Sequence, residues 1–296
     1  MTCPATPAST LRQHLAKGGL LSAPGICDPY TARIVEHLGF DALYLGGNAL
    51  GLSLGVGQPF VTLTETVDAL HRIGRVATTP IIVDAGAGFG DAAHAAIAMA
   101  ALSHAGAAAV HVDDQIYPKR AHYHRGCGRL AEMATVAGKL RAMRGARAAE
   151  PLLIARTDAL RITRSMDAVV ERCARYVEAG AEALMVLDAG LDEAANLQKA
   201  VPGVPLIWIG GIAEPIPTVD ELRDAGYAIA VYPFSTMGAI TESVLATWRG
   251  MAKDGRPART ERPAAQTVAQ ALEIVGMDAS WRIEIETTEP DLQQPG

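Results

Sequence analysis

The sequence predicts an α/β protein, a (β/α)8 barrel of the TIM type with a C-terminal helical extension, and three observations predict it. Short β-branched runs alternate with helical periodicity from about residue 20 to about residue 255. A unit in which a helix ends at glycine and a strand begins two or three residues later recurs as "HLGFDALYLGG", "HAGAAAVHVDD", "EAGAEALMVLD" and "DAGYAIAVYPF". These units precede every second strand, as a closed quasi-symmetric array requires, and eight strand and helix pairs fit the roughly 250 residues of such a barrel. An open doubly wound sheet is the alternative topology with the same alternation.

Residues 1–19 read as a helical lead-in, 20–255 as the barrel, and 256–296 as the extension. The strands are expected in "LLSAPGI", "ALYLGG", "PIIVDAG", "AAVHVDD", "LLIARTD", "ALMVLD", "PLIWIGG" and "IAVYPF". Between them lie amphipathic helices; in "SMDAVVERCARYVEAG", Val169, Val170, Cys173 and Val177 share one face. Gly39, Gly106, Gly180 and Gly226 stand where a helix C-cap needs a left-handed residue. After "MAKDGRPARTERP" the alternation stops, leaving one or two short helices and a polar tail. The segment "VAQALEIVGM" is amphipathic enough to dock on the barrel or on a neighbouring subunit.

Composition narrows the function classes. The chain has 296 residues, nearly half apolar and a fifth charged, as in an ordinary soluble globular protein. A net charge of -6, with Lys and Arg scattered, argues against nucleic acid as a partner but admits a small anionic ligand. The four cysteines show no C-x-x-C spacing, which suits a reducing cytoplasm. No secretory signal is expected at the N-terminus, and the longest apolar stretches are broken by His and Gly, so no membrane span is expected.

In a barrel of this kind the chemistry sits at the C-terminal ends of the strands. Those ends carry Gly46 and Gly47, then Asp84, Asp113 and Asp114, Arg156 and Asp158, and Asp188. Asp84 and Asp113 would face one mouth from neighbouring strands, and two hard oxygen ligands suit Mg2+; the plainer reading makes each a helix N-cap or a loop acid. Arg156 ends a buried strand and needs an anion, either a substrate carboxylate or phosphate or one of these aspartates. "DAGAGFGD" and "GNALGLSLGVGQP" read as glycine-rich loops able to cradle an anion, and Gly210 and Gly211 stand where many barrels bind phosphate. His14, His37, His71, His94 and His104 fall on helices, and His111 lies inside a strand, where a structural hydrogen bond is expected. The loop "DDQIYPKRAHYHRGCG" crowds Lys119, Arg120, His122, Tyr123, His124 and Cys127 at the active face, as a gating loop would.

The run "APGICDPYTARIVEHLGFDALYLGG", followed by "VDAGAGFG", "VHVDDQIYPKRAHYH" and "IARTDA", resembles the isocitrate lyase and phosphoenolpyruvate mutase superfamily in order and spacing over about residues 20–245. The resemblance implies a modified barrel whose last helix swaps between subunits in a dimer of dimers, a cytoplasmic homotetramer. It also implies Mg2+, or Mn2+, as cofactor and a small carboxylic acid as substrate. By position, Asp84 matches a direct metal ligand and Asp113 the usual Glu that holds the metal through water. Tyr44, Gly46 and Gly47 match the segment gripping a substrate carboxylate, Arg156 a substrate-binding arginine, and Lys119 and Arg120 the start of the lyase loop "KRCGH". Asp188 or its neighbour Leu187 stands where lyases place a Glu near the metal.

Three departures follow. Gly86 and Ala87 replace an acid and a threonine of the family's metal loop, and Ala121 replaces the cysteine that handles the proton at the cleaved carbon. The expected activity is Mg2+-dependent carbon–carbon cleavage of a small 2-hydroxy or 2-oxo acid, with His122, Tyr123, His124 or Cys127 as the substitute proton donor. Phosphonopyruvate or phosphoenolpyruvate chemistry, 2-oxo acid decarboxylation, and a catalytically silent carboxylate-binding barrel are the alternatives.

Overall fold

The structure, a computed structural model, describes residues 6–126, 128–146, 150–211, 214–258 and 262–288. Strands β1 (Leu21–Ile26), β2 (Leu43–Leu45), β3 (Ile81–Asp84), β4 (Ala109–Asp113), β5 (Leu152–Thr157), β6 (Ala183–Val186), β7 (Leu206–Ile209) and β8 (Ile229–Tyr232) lie inside the eight expected segments. They pair in parallel and in sequence order, and β8 returns to β1 to close the barrel, so the open sheet is not adopted.

The helices among the described residues begin with α1 (Pro7–Ala16), α2 (Pro29–His37), α3 (Gly47–Ser53), α4 (Leu63–Gly74) and α5 (Ala92–His104). They continue with α6 (Met133–Arg144), α7 (Ala159–Thr163), α8 (Met166–Glu178), α9 (Leu191–Ala200) and α10 (Val219–Asp224). The last are α11 (Ser235–Asp254), α12 (Ala264–Ile274) and α13 (Met277–Thr287). Local chemistry sets their ends. Asp28, Thr62 and Thr218 close capping boxes at the starts of α2, α4 and α10, each satisfying orphan N–H groups of the first turn. Gly39, Gly106, Gly180 and Gly226 all take positive φ, between 81° and 104°, as a left-handed turn from helix to strand demands.

The alternation of side chains along each strand sorts them into two cores. Tyr44, Ile82, Ala109, Ile154, Met185, Ile207 and Ile229 fill the barrel interior. Val83, Val110, Val112, Leu153, Ala155 and Leu184 face outward and pack with Leu70, Met99, Leu140 and Tyr176 of the surrounding helices. On α8 Val169, Cys173 and Tyr176 are buried and Val177 packs partly buried against the same core, so the apolar stripe also takes in Tyr176, which the expected face did not include. Helix α1 covers the N-terminal end of the barrel: Leu11 joins the interior core, while Arg12 donates to the Glu150 carbonyl and pairs with Glu182.

Two expectations need correction. "GNALGLSLGVGQP" is not a loop throughout, because Gly47–Ser53 forms α3. The segment after β4 is likewise not wholly irregular, since Ala121–Arg125 forms a 3-10 helix. By its internal contacts the chain divides into two compact units, Met1–Met237 and Gly238–Gly296, a junction that falls within α11. The second unit contains α12 packed with α13. No described helix is long and apolar enough to cross a membrane.

Candidate active site

The site is built where β3, β4 and β5 end. In the ladder Asp84 pairs with His111, and Asp113 pairs with Arg156. Because alternate residues share a face, His111 and Asp113 point with Asp84 and Arg156 to the inside of the barrel mouth, whereas Asp114 and Thr157 point outward to the helices. The segment after β4 then folds back and adds Lys119 and Tyr123. The result is a buried cluster of two acids and two cations: Asp84, Asp113, Lys119 and Arg156 are all at most 8 % exposed.

Each charge is answered. Lys119 Nζ lies 2.6 Å from Asp113 Oδ2. Arg156 donates through Nε to Asp158 Oδ1 at 2.8 Å and through a terminal nitrogen to the Tyr123 hydroxyl at 2.5 Å. Asp158, fully buried, also accepts from the Gln115 amide. Asp84 accepts from the Gly86 N–H at 2.8 Å, the Gly47 N–H at 3.0 Å and the Gln58 amide at 3.4 Å. Burial alone would raise the Asp84 and Asp113 pKa values. For Asp84 the neighbouring His111, Lys119 and Arg156, and for Asp113 Lys119 and Arg156, win, and both carboxyls are held below their ordinary value. Lys119 is shifted up despite its burial, chiefly by Asp113, and is a fixed positive charge.

Beneath this cluster, the Tyr44 hydroxyl and His111 Nε2 share a hydrogen bond of 2.8 Å. Burial pushes the tyrosine up and the histidine down, so the pair is uncharged at neutral pH, and His111 becomes a cation beside Asp84 only in acid. His111 therefore makes the structural hydrogen bond expected of it. Tyr123 is also shifted up, first by burial, which keeps its phenol protonated. Its ring lies under the Lys119 ammonium, 4.4 Å from the ring centre.

A cleft open to solvent runs over Asp84 between Gly47, Gln58, Gly86, Ala87, Phe89 and Lys119. A Cβ on Gly47 would meet the Gln58 amide at 2.6 Å and Asp84 at 3.1 Å, so a side chain there would displace Gln58 and crowd Asp84. A Cβ on Gly86, at the position of the missing family acid, would meet nothing within 4 Å.

The structure thus brings together Tyr44, Asp84, Asp113, Lys119, Tyr123 and Arg156, with Gly46 and Gly47 opening α3 beside them. It does not bring in Arg120, His122 or Asp188. Arg120 and His122 are exposed. Asp188 is partly exposed and forms a two-point pair with Arg161, at 2.6 and 2.5 Å, because the left-handed turn at Asp188 aims it across the rim. The His124 side chain and Cys127 lie outside the described residues. Gly47 spends its N–H on Asp84. The sequence does not point to Gln58 or Gln115 as parts of the site, and it places Asp158 only among the strand-end acids, one of the aspartates open to pairing with Arg156. For Asp158 a signal existed, an acid two residues beyond Arg156 and therefore on the same strand face.

The comparisons with known proteins bear on the family and the fold. Residues 11–252 match the phosphoenolpyruvate phosphomutase family. The 2-methylisocitrate lyase of Aeropyrum pernix is 35% identical over 243 residues, which cover 79% of this chain and 76% of that protein. The crystal structure of 2,3-dimethylmalate lyase, a PEP mutase/isocitrate lyase superfamily member, superposes with a TM-score of 0.86 at 26% identity and covers 98% of both chains. Phosphonopyruvate hydrolase in complex with oxalate and Mg2+ superposes with a TM-score of 0.83 at 25% identity, covering 95% of this chain and 99% of that one. The chain belongs to the phosphoenolpyruvate phosphomutase family, within the PEP mutase/isocitrate lyase superfamily.

Proposed function

We propose that the protein is a divalent-metal-dependent carbon–carbon lyase that cleaves a small 2-hydroxy or 2-oxo di- or tricarboxylic acid to a 2-oxo acid and a carboxylate. One observation carries this reading: two buried, ionised carboxylates, Asp84 and Asp113, meet two buried cations, Lys119 and Arg156, at one cleft. The lyase relatives support the reaction class.

The donor set fits Mg2+, with Mn2+ sharing its preference for oxygen. Asp84 would hold the ion and Asp113 would hold it through water. No group of three or more His, Cys, Asp or Glu side chains able to hold a metal exists among the described residues, so the ion would keep water and substrate oxygens, as Mg2+ does. When bound, the ion supplies Lewis-acid polarisation of a substrate oxygen. The protein's own groups do the rest. Arg156, kept positive and oriented by Asp158, holds a substrate carboxylate. Lys119 adds a second fixed charge. Cleavage leaves a carboxylate-stabilised carbanion, and Tyr123, a buried neutral phenol of the post-β4 segment, would deliver its proton where the family's cysteine would, while Lys119 stays charged against Asp113.

The test is a screen of 2-hydroxy and 2-oxo acids with Mg2+, read by appearance of a 2-oxo acid, in the wild type, after EDTA and in Asp84→Ala. Turnover that survives EDTA or Asp84→Ala sinks the proposal. Likeness to phosphonopyruvate hydrolase supports a second reading, phosphorus–carbon chemistry. Conversion of phosphonopyruvate seen by phosphorus NMR would favour it. The first reading extends to a cytoplasmic dimer of dimers, supported by the exposed Trp248, Val268 and Trp281 of the second unit. Light scattering that gives a monomer would overturn that extension.

A further inference from the structure

Behind the site, on the outer face of the barrel wall, Asp114 is a fully buried carboxylate with four donors on it. Its Oδ1 accepts from the Asp158 N–H at 3.0 Å. Its Oδ2 accepts from the Thr157 hydroxyl at 2.6 Å, the Tyr176 hydroxyl at 3.0 Å and Arg172 at 3.0 Å. Strand alternation makes this back-side knot consequential. Asp113 and Gln115 point inward on either side of Asp114, as Arg156 and Asp158 do on either side of Thr157. Binding Asp114 to Thr157 and to the Asp158 N–H therefore fixes how the two strand ends present their catalytic-side neighbours.

Arg172 extends the knot to the segment that carries Lys119 and Tyr123. From α8, both terminal nitrogens of its guanidinium reach the Ala131 carbonyl at 3.2 Å, and one of them also meets Asp114 and the Tyr176 hydroxyl. Ala131 is where the chain returns: its N–H donates to the Asp114 carbonyl at 2.8 Å, and the Ile116 N–H donates to the Arg129 carbonyl at 3.0 Å. Gln115 and Leu130 form an isolated antiparallel bridge between those two bonds. The departing and returning strands of this segment thus form a narrow stem, and Arg172 grips both sides of it. The planar fork of an arginine suits such a double grip, and a lysine cannot reproduce it.

We infer that Arg172 is a positioning residue of the active site, which acts through Asp114 and the Ala131 carbonyl to hold the stem so that Lys119 and Tyr123 return onto Asp113 and Arg156. The kinetic consequence rests on the proposed lyase activity; the structural consequence does not.

The experiment compares wild-type full-length protein with Arg172→Lys by hydrogen exchange without ligand and by steady-state kinetics. Exchange of the amides of residues 116–126 is expected to accelerate at least about tenfold, with the amides of β1 and β2 unchanged. With substrate, kcat is expected to fall about 10- to 100-fold, the usual cost of losing a supporting contact, with KM within about threefold. Unchanged exchange over 116–126, or equal acceleration along the whole chain, would overturn the inference, as would an unaltered kcat. If the wild type turns over none of the acids, the lyase reading fails and exchange alone decides. Should Arg172→Lys fail to fold, Asp114→Asn replaces it, since it keeps the shape and removes the charge that Arg172 answers; the same local acceleration is expected.

Discussion

Lys119 donates to Asp113 across 2.6 Å with both side chains almost wholly removed from solvent. The six-residue return from strand end to lysine neutralises a carboxylate that burial would otherwise protonate. Removing one partner of a buried pair leaves an uncompensated charge, which typically costs about 3–5 kcal/mol. Lys119→Met is expected to lower the urea midpoint at pH 7 accordingly and to abolish turnover. Lys119→Arg, which keeps the charge, should retain most of the stability.

Tyr123→Phe separates proton delivery from binding. The ring under Lys119 remains, and only the hydroxyl facing Arg156 is lost. A drop in kcat of about 10²- to 10⁴-fold is expected, the usual contribution of a positioned acid. A wild-type kcat with a raised KM would instead mean that the phenol only orients Arg156.

Asp188 pairs with Arg161 at the rim, half exposed, rather than entering the cleft. Asp188→Asn is expected to change stability by less than about 1 kcal/mol, as for exposed ion pairs, and to leave KM within about twofold. A tenfold rise in KM would return Asp188 to the substrate.

Acid sensitivity has a local origin at Glu36. One of its oxygens accepts the Thr78 N–H at 2.7 Å and the Thr79 N–H and both threonine hydroxyls at 3.0 Å, joining α2 to the approach to β3. Burial opposes ionisation, but these donors win, and the Glu36 pKa is depressed in the folded state. A depressed carboxyl contributes stability that is present above the unfolded value, about 4.3, and is lost as pH falls through the folded value. Glu36→Gln should therefore cost about 1 kcal/mol at pH 7 and reduce the loss of stability seen in denaturation curves as pH falls below the unfolded value.

The eight strands, the four glycine caps and the three strand-end residues Asp84, Asp113 and Arg156 were legible in the sequence. Each follows from a local rule: alternation along a strand, the left-handed turn that ends a helix, and the position of a residue at the end of an apolar run. Less legible were the identities of the partners. Arg156 was open to a substrate or to an aspartate, and it is Asp158 that holds it. Arg172 lies 58 residues from Asp114, and nothing in its helix periodicity distinguishes it from any solvent-facing arginine.

By itself, then, the sequence determined the barrel, its register of polar strand ends and the membership of the family, because these rest on short-range patterns and on motif order. Tertiary structure alone decided which of the crowded groups after β4 face the site. Closure of the barrel brings β4 and β5 side by side, and the stem at Ala131 returns the chain over them. Lys119 and Tyr123 are thereby buried against Asp113 and Arg156, while Arg120 and His122, next to them in the chain, remain in water.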